Sequence, residues 1–323
     1  MMTVLKPGPL TTVQDGGRRG YRAFGMPVAG AMDRLSFALA NVLSGNPPGA
    51  AALEMTLLGA TVRLEHDGYL AVCGADMGTT LDGEPVPNGS GFPARRGAEL
   101  VCRSAATGCR AYLAVHGGID VPTVLGSSST YTRAAVGGFQ GRALRSGDVL
   151  PVGPAGASPP RGARALPARL LPDCPRQLSL RVLLGPQEDH FLPEGVRTFL
   201  ESAYAVSNRN DRMGYQLDGP AIGHRDKPDI VSDALCPGAI QVPGRGTPIV
   251  MMADCQTTGG YAKIATVIGP DLALLAQARF GDTVRFVACS EEEAVAALRE
   301  ERVTVAGAAA AFRAPARRRA ARG

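Results

Sequence analysis

The chain has no tryptophan, and aromatic residues make up only 5% of its 323 positions. Platforms for single-stranded nucleic acid are built from aromatic faces on which bases stack, so nucleic-acid binding is disfavoured. Long apolar runs are missing too: no stretch approaches the ~18 residues that mark a membrane-spanning helix. The four histidines are scattered, without the spacing of a metal site. The seven cysteines (Cys73, Cys102, Cys109, Cys174, Cys236, Cys255 and Cys289) are odd in number and contain no CxxC pair. That pattern argues against a disulfide framework and for small buried hydrophobes. The N-terminus (MMTVLKPGP) lacks the apolar core of a secretory signal. A cytoplasmic location, away from any membrane, is therefore expected.

The net charge of +5 is local in origin. Arg313, Arg317, Arg318, Arg319 and Arg322 fall in the last eleven residues, and without them the body is near neutral. Such a segment is expected to be a solvated basic tail.

What is present is a succession of short strand-like stretches punctuated by Gly, Pro, Asn and Asp. They include 68–73, 99–103, 110–115, 178–184, 247–252 and 282–287. This spacing points to barrels or sandwiches. Helical periodicity is confined to 32–43, 193–204, 270–277 and 290–299. A stretch rich in Pro, Gly, Ala and Arg interrupts the pattern. The expected division is an N-terminal β-barrel-like domain over 1–155, a linker over 156–176, a C-terminal barrel over 177–300 and the tail over 301–323.

Four polar clusters stand out. In the first, Gln14 and Asp15 precede a Gly-rich, doubly basic loop with Arg18 and Arg19. It is suited either to holding a phosphate or carboxylate or to forming a charged turn; the Gly-Lys-Ser/Thr ending of a nucleotide loop is missing. In the second, Asp33 stands where a helix cap belongs, and Glu54 interrupts an apolar strand, where a carboxylate must be paired or functional. The third is Asp211 and Arg212 before Gly214, with Arg212 placed to clamp an anion or to lock Asp211. The fourth runs from Gln241 to Lys263. Asp254, Gln256, Thr257 and Thr258 follow a buried apolar run, then come Gly259, Gly260 and Tyr261. Lys263 reads either as a stabiliser of a developing oxyanion or as a solvated strand lysine. Cys255 lies inside this cluster without a basic neighbour in sequence to activate it. His116 follows a strand and is expected to hydrogen-bond in the turn.

These clusters form a combination of motifs: 7–18 (PGPLTTVQDGGR), 30–33 (GAMD), 53–56 (LEMT), 112–118 (YLAVHGG), 126–130 (GSSST), 137–142 (GGFQGR), 211–214 (DRMG), 238–243 (GAIQVP) and 254–261 (DCQTTGGY). The chain resembles the biotin-dependent carboxyltransferase family, also called allophanate hydrolase subunit 2, whose KipA-like branch includes the C subunit of 5-oxoprolinase. Ala262 stands where the family usually has proline, and Gln216 where arginine is common.

The resemblance implies a mainly β fold of two cyclophilin-like β-barrel domains with a few short helices, and a site in the cleft between them. It implies a hetero-oligomer with two partners, the KipI-like B subunit of 5-oxoprolinase plus its A subunit. Together they cleave 5-oxo-L-proline to L-glutamate with ATP as cofactor. Two alternatives stay open: a carboxyltransferase moving CO2 from carboxybiotin to urea or a related small amide, and a KipA-like regulator binding a KipI-like kinase inhibitor. Asp15, Arg212, Asp254, Gln256 and Lys263 are the catalytic candidates. Gln14, Arg18, Asp33, Glu54, Gln241, Thr257, Thr258 and Tyr261 are the substrate-binding candidates. Replacing Arg212 or Gln256 is expected to depress turnover more than melting temperature.

Overall fold

Period-two burial marks strands in both halves, among them Met2–Lys6, Thr61–Leu64 and Gln177–Leu184. A computed structural model describes residues 1–154 and 158–313, Arg313 by its backbone alone. It is mainly β, with four α-helices among the described residues: α1 (Arg34–Ser44), α2 (Pro193–Glu201), α3 (Asp271–Gln277) and α4 (Glu291–Arg313).

The N-terminal half is two six-stranded antiparallel sheets. One contains Met2–Lys6, Thr61–Leu64 and Glu99–Val101; the other contains Thr11–Gln14, Ala52–Thr56, Thr107–Val115, Gly68–Asp76 and Ser90–Ala94. Met2, Val4, Val62 and Leu100 of the first sheet meet Leu53, Met55, Leu70, Val72 and Leu113 of the second in one apolar core. The second sheet is covered on its other face as well, where Ala52, Ala71, Cys73, Tyr112 and Ala114 pack on Phe37, Leu39, Ala40 and Leu43 of α1. A strand buried on both faces reads as a continuous apolar run, which is why 69–75 shows no alternation.

The C-terminal half closes. Seven strands form a barrel in the order Gln177–Leu184, Lys263–Val267, Ala239–Gln241, Ile249–Met251, Gly214–Asp218, Tyr204–Val206, Thr283–Ala288 and back to the first. The closing pair, Gln177–Leu184 with Thr283–Ala288, is parallel. Leu178, Leu180 and Val182 alternate inward against Leu217, Ile240, Val250, Ile264 and Phe286. On α2, Phe199 stacks on Phe286 at 4.5 Å between ring centroids. A separate two-stranded ribbon, Asp229–Ala234 with Thr258–Tyr261, stands outside the barrel.

The helices begin and end as their sequences dictate. Asp33 caps α1, its carboxylate accepting from Ser36 N at 3.0 Å, and Gly45 ends the helix in the left-handed region at φ 80°. The helix expected over 290–299 runs on to Arg313, so residues 301–313 are helix and not part of the basic tail expected from sequence. The reason is alanine: 308–311 looks like low complexity, yet Ala is the best helix former. Val305, Ala308, Ala309 and Phe312 then find an apolar partner in the α1 layer. Arg317, Arg318, Arg319 and Arg322 lie outside the described residues. Residues 155–157, where the expected N-terminal domain meets the expected linker, are likewise outside them, while within the linker Arg164–Ala165 pairs with Ser90–Ala94. Among the described residues, no helix is long and apolar enough to cross a membrane.

Candidate functional site

Strand alternation builds the first part of the site. Leu53 and Met55 point into the sandwich, so Glu54 points to the α1 side, directly opposite Tyr112 on the neighbouring strand. There the Tyr112 hydroxyl donates to Glu54 Oε2 at 2.8 Å and accepts from Asp33 N at 2.8 Å. Met32 N also donates to Glu54 Oε2, at 2.8 Å. The other carboxylate oxygen accepts from Arg212 of the second half. Arg212 further grips Asp254 in a two-pronged contact, Nε to Oδ2 at 3.0 Å and Nη2 to Oδ1 at 2.8 Å, and donates to Gly30 O at 2.6 Å.

This seam is dry. The side chains of Arg212, Glu54 and Asp254 are 6%, 1% and 5% exposed. Burial by itself pulls the Arg212 pKa down, but Asp254 and Glu54 outweigh it and leave the guanidinium firmly charged. Burial pushes the Asp254 carboxyl up, against the pull of Arg212. Asp33 is raised by burial too, although Ser36 and Gln277 hydrogen-bond to it. Arg212 therefore binds protein groups on every side. Asp211, which on one of the two readings from sequence it would lock, instead accepts from Arg133 at 3.0 Å and from Met213 N at 2.7 Å.

One short segment splices the halves together. Ala29 N donates to Ala253 O (2.9 Å) and Ala31 N to Asp15 O (3.1 Å), between them Gly30 O receives Arg212, and beyond them lie the Met32 and Asp33 contacts given above. Gly30 has φ 84°, and a Cβ there would come within 2.8 Å of Gly17 Cα. Only glycine fits that approach.

The Gly-rich loop forms the second part. Asp15 Oδ1 accepts from Gly17 N at 2.8 Å and Ser127 Oγ at 2.7 Å, and also from Ser129 Oγ; Oδ2 accepts from Ser128 N at 2.6 Å. Arg18 N donates to Val28 O, while its side chain donates to Val124 O (2.8 Å) and Ser129 O (3.0 Å). The backbone N–H groups of Gly17 and Arg18 and most of the Arg18 guanidinium are thus spent on the protein, as in a charged turn. Arg18 and Gln14 are both fully buried, and Arg18 Nη1 and Gln14 Oε1 have no hydrogen-bond partner among the described residues. Burial lowers the Arg18 pKa, opposed by Asp15 and Asp254. The facing segment holds Leu125, Ala135 and Gln140 at φ 53°, 53° and 58°, a local concentration of strained backbone of the kind that gathers at functional sites.

The ribbon forms the third part and is open. Gln256, Thr258 and Tyr261 are exposed and Thr257 is half-buried. Beneath them Gln241 is buried and donates to Tyr261 O at 3.1 Å. It fits because residue 259 is glycine, where a Cβ would lie 2.6 Å from Gln241 Nε2. Lys263 is also buried, its ammonium donating to Ala234 O at 2.9 Å and to the half-exposed Asp233 carboxylate. It is a paired lysine rather than a solvated one. Asp233 is held below the usual carboxylate range chiefly by the Lys263 hydrogen bond. From the N-terminal half, Arg22 reaches over to donate to Leu235 O and, at 3.2 Å, to Gln256 O. The Cys255 thiol is buried and pushed up to about 11 by that burial, so it is protonated at neutral pH. His116 Nδ1 lies 2.8 Å from Ser44 O, in the turn as expected.

The structure thus joins Asp33, Glu54, Arg212 and Asp254 in the seam and Gln14, Asp15 and Arg18 at the Gly-rich loop. Gln241, Gln256, Thr257, Thr258, Tyr261 and Lys263 gather at the ribbon. Arg212 and Gln256 do not share an open crevice: one is interior, the other exposed. Sequence reasoning missed Tyr112, Gln277, Arg22 and Asp233. Gln277 carried a signal, a lone amide ending the apolar run 272–276. Its Oε1 accepts from Cys109 N and Arg110 N, and its Nε2 donates to Asp33 Oδ2 at 2.7 Å.

Comparison with known proteins places this architecture. Residues 24–288 match the carboxyltransferase domain, subdomains A and B, and the chain belongs to that family. It is 40% identical over 301 residues to the C subunit of 5-oxoprolinase from Escherichia coli, covering 93% of this chain and 95% of that protein. Identity to the corresponding C subunit from Haemophilus influenzae is 35%, over 94% of this chain and 96% of the relative. The crystal structure of Kluyveromyces lactis urea carboxylase superposes with a TM-score of 0.90 at 31% identity, over 95% of this chain. There the chain spans only 29% of the larger protein.

Proposed function

We propose that this chain is the C subunit of an ATP-dependent 5-oxoprolinase. In this reading it works in the cytoplasm with the enzyme's A subunit, together with a KipI-like B subunit, to open 5-oxo-L-proline to L-glutamate. The observation that carries this reading is end-to-end similarity to proteins of that name: 95% of the Escherichia coli protein is covered. The substrate is a small ring amide, and its rim of contact is the ribbon. Gln256, Thr257 and Thr258 offer donors and acceptors for an amide, and Tyr261 offers a flat apolar face. Lys263 and Arg18 supply the positive charge that a developing oxyanion requires. Gln14 and Gln241 orient the groups beside them, Asp15 holds the Ser127–Ser129 turn, and Arg212, Asp254, Glu54 and Asp33 act as positioning residues that fix the halves.

ATP supplies the energy for opening a stable amide. The Gly-rich loop is a poor phosphate cradle, because Gly17 N and Arg18 N are already taken by Asp15 and Val28. ATP therefore belongs to a partner protein in this reading.

A second reading rests on the urea carboxylase superposition: transfer of CO2 from carboxybiotin to an amide at the same ribbon. It needs a biotin carboxylase and a biotinyl carrier in trans. The decisive experiment reconstitutes this chain with its partner subunits and follows ATP-dependent glutamate release from 5-oxoproline. Glutamate that requires all three chains supports the first reading. No glutamate from a fully folded assembly, with CO2 transfer once a carboxylase is added, supports the second.

A further inference from the structure

Away from the ribbon, the Gly-rich loop, α1 and α4 enclose a cavity of about 380 Å³. Arg19, Arg34 and Arg302 line it together with Phe37, Val305 and Glu301. The charges do not balance. Arg34 is more than half buried, yet it makes no hydrogen bond or ion pair with the described residues. Arg19 beside it is a second positive charge, and Arg302 adds a third at the rim. Of the carboxylates in reach, Asp15 already receives Gly17 N, Ser127 Oγ, Ser128 N and Ser129 Oγ. Glu301 remains, without a salt-bridge contact among the described residues. A partly buried guanidinium without such a partner, next to a like charge, is unfavourable unless an anion enters. Consistent with that, burial lowers the Arg34 pKa and Arg19 lowers it further, with only Glu301 opposing.

We infer that this cavity is a binding site for a small oxyanion, a carboxylate or a phosphate monoester, carrying a compact apolar body. The planar forks of Arg34 and Arg19 match a carboxylate or phosphoryl group with paired hydrogen bonds. Phe37, Val305, Ala38 and Ala306 supply the apolar wall. The volume falls in the range of ordinary small-molecule sites. Because α4 forms one wall and the Gly-rich loop another, a bound anion ties the C-terminal helix to the loop that anchors Arg18. The inference does not rest on the proposed activity, in which neither Arg19 nor Arg34 has a part, although Asp15 of the Gly-rich loop lines the same cavity.

The test is calorimetric titration of the full chain with inorganic phosphate, acetate and benzoate, at ionic strength fixed with sodium chloride. At least one of the three binds, and benzoate binds more tightly than acetate because of the apolar wall. Arg34→Gln weakens that binding about tenfold or more, the loss expected when a charge-assisted hydrogen-bonded pair is removed. Arg19→Gln, at an exposed position where folding is not at risk, weakens it by a smaller factor. Phosphate binding without carboxylate binding assigns a phosphoryl ligand, and the converse assigns a carboxylate. No binding by any probe at tens of millimolar overturns the inference, as does unchanged affinity in both variants or equal heat from chloride alone. Equal affinity for acetate and benzoate overturns the apolar part of the ligand.

Discussion

The seam and the ribbon both hold a cation against a carboxylate, and their surroundings make them opposite devices. Arg212 is enclosed with Glu54 and Asp254, all nearly without solvent contact, and its hydrogen bonds to Glu54 and Gly30 cross between the two halves. Lys263 is equally buried, but its partner Asp233 is half-exposed on a ribbon that belongs to no barrel. In the seam, water cannot replace a lost partner, so geometry is fixed. At the ribbon, solvent reaches the carboxylate, and the buried ammonium has Ala234 O as a second acceptor. The lesson is that two charge clusters of the same composition differ in solvent access, the interior one closed on protein groups and the one at the edge open on its carboxylate side.

The strongest way to break that contrast is Arg212→Ala. It leaves Glu54 and Asp254 buried without their cation, and such a loss destabilises by about 3–5 kcal/mol. Urea denaturation should show a large fall in midpoint with an unchanged slope. This revises the expectation from sequence that Arg212 would affect turnover more than stability. A drop within ordinary surface-mutation range, with a collapse in turnover, would return Arg212 to the chemistry. Next in size is Tyr112→Phe, which removes one hydroxyl and strands Asp33 N, for about 1–3 kcal/mol by the cost of an unmade buried hydrogen bond. Thermal unfolding measures it. No change would mean the seam tolerates a missing link.

Much of this was legible before any fold was known. Glu54 in an apolar strand announced a pairing, and Asp33 before a helical period announced a cap; both are realised. The partners were not legible. Glu54 and Arg212 are 158 residues apart in sequence, and no local pattern reports which distant strand will face which. Donor use is equally invisible: only the fold shows Val124 and Ser129 taking Arg18 Nε and Nη2 while Nη1 has no partner among the described residues. The end of α4 escapes a sequence reading for a compositional reason, since an alanine-rich stretch shows no amphipathic period. The two halves look alike in strand spacing, and only pairing shows that one closes while the other stacks two sheets.

Acid separates the two regions by sign. Asp233 has a folded pKa below its ordinary 3.8, so the ribbon contact is fully present above that value and is lost as pH falls through the lowered one. Asp33 is raised above 3.8 by burial. The folded chain keeps its proton longer than the unfolded one does, and stability from this group declines as pH rises from about 3.8 through the raised value. Asp33→Asn, which keeps an acceptor for Ser36, should flatten that decline in urea midpoints taken between pH 3 and 6. Asp233→Asn should instead remove the loss of ribbon protection seen by hydrogen exchange at the acid end. Slopes of the same sign at both sites would erase the distinction.

The smallest structural effect should accompany the clearest functional one. Gln256 is exposed, and among the described residues its side chain makes no hydrogen bond; only its carbonyl is held, by Arg22. Gln256→Ala should therefore leave the unfolding free energy within the scatter of surface substitutions, about 0.5 kcal/mol either way. In the reconstituted assembly it should lower kcat/KM for 5-oxoproline, because an amide side chain at the rim is matched to an amide substrate. Arg22→Gln makes the companion measurement, since it frees the Gln256 carbonyl and the ribbon without touching the amide. If Gln256→Ala unfolds the protein as readily as Arg212→Ala does, the ribbon is scaffold after all. If both Gln256→Ala and Arg22→Gln leave turnover intact, the substrate binds elsewhere, and the strained segment opposite Arg18 becomes the place to look.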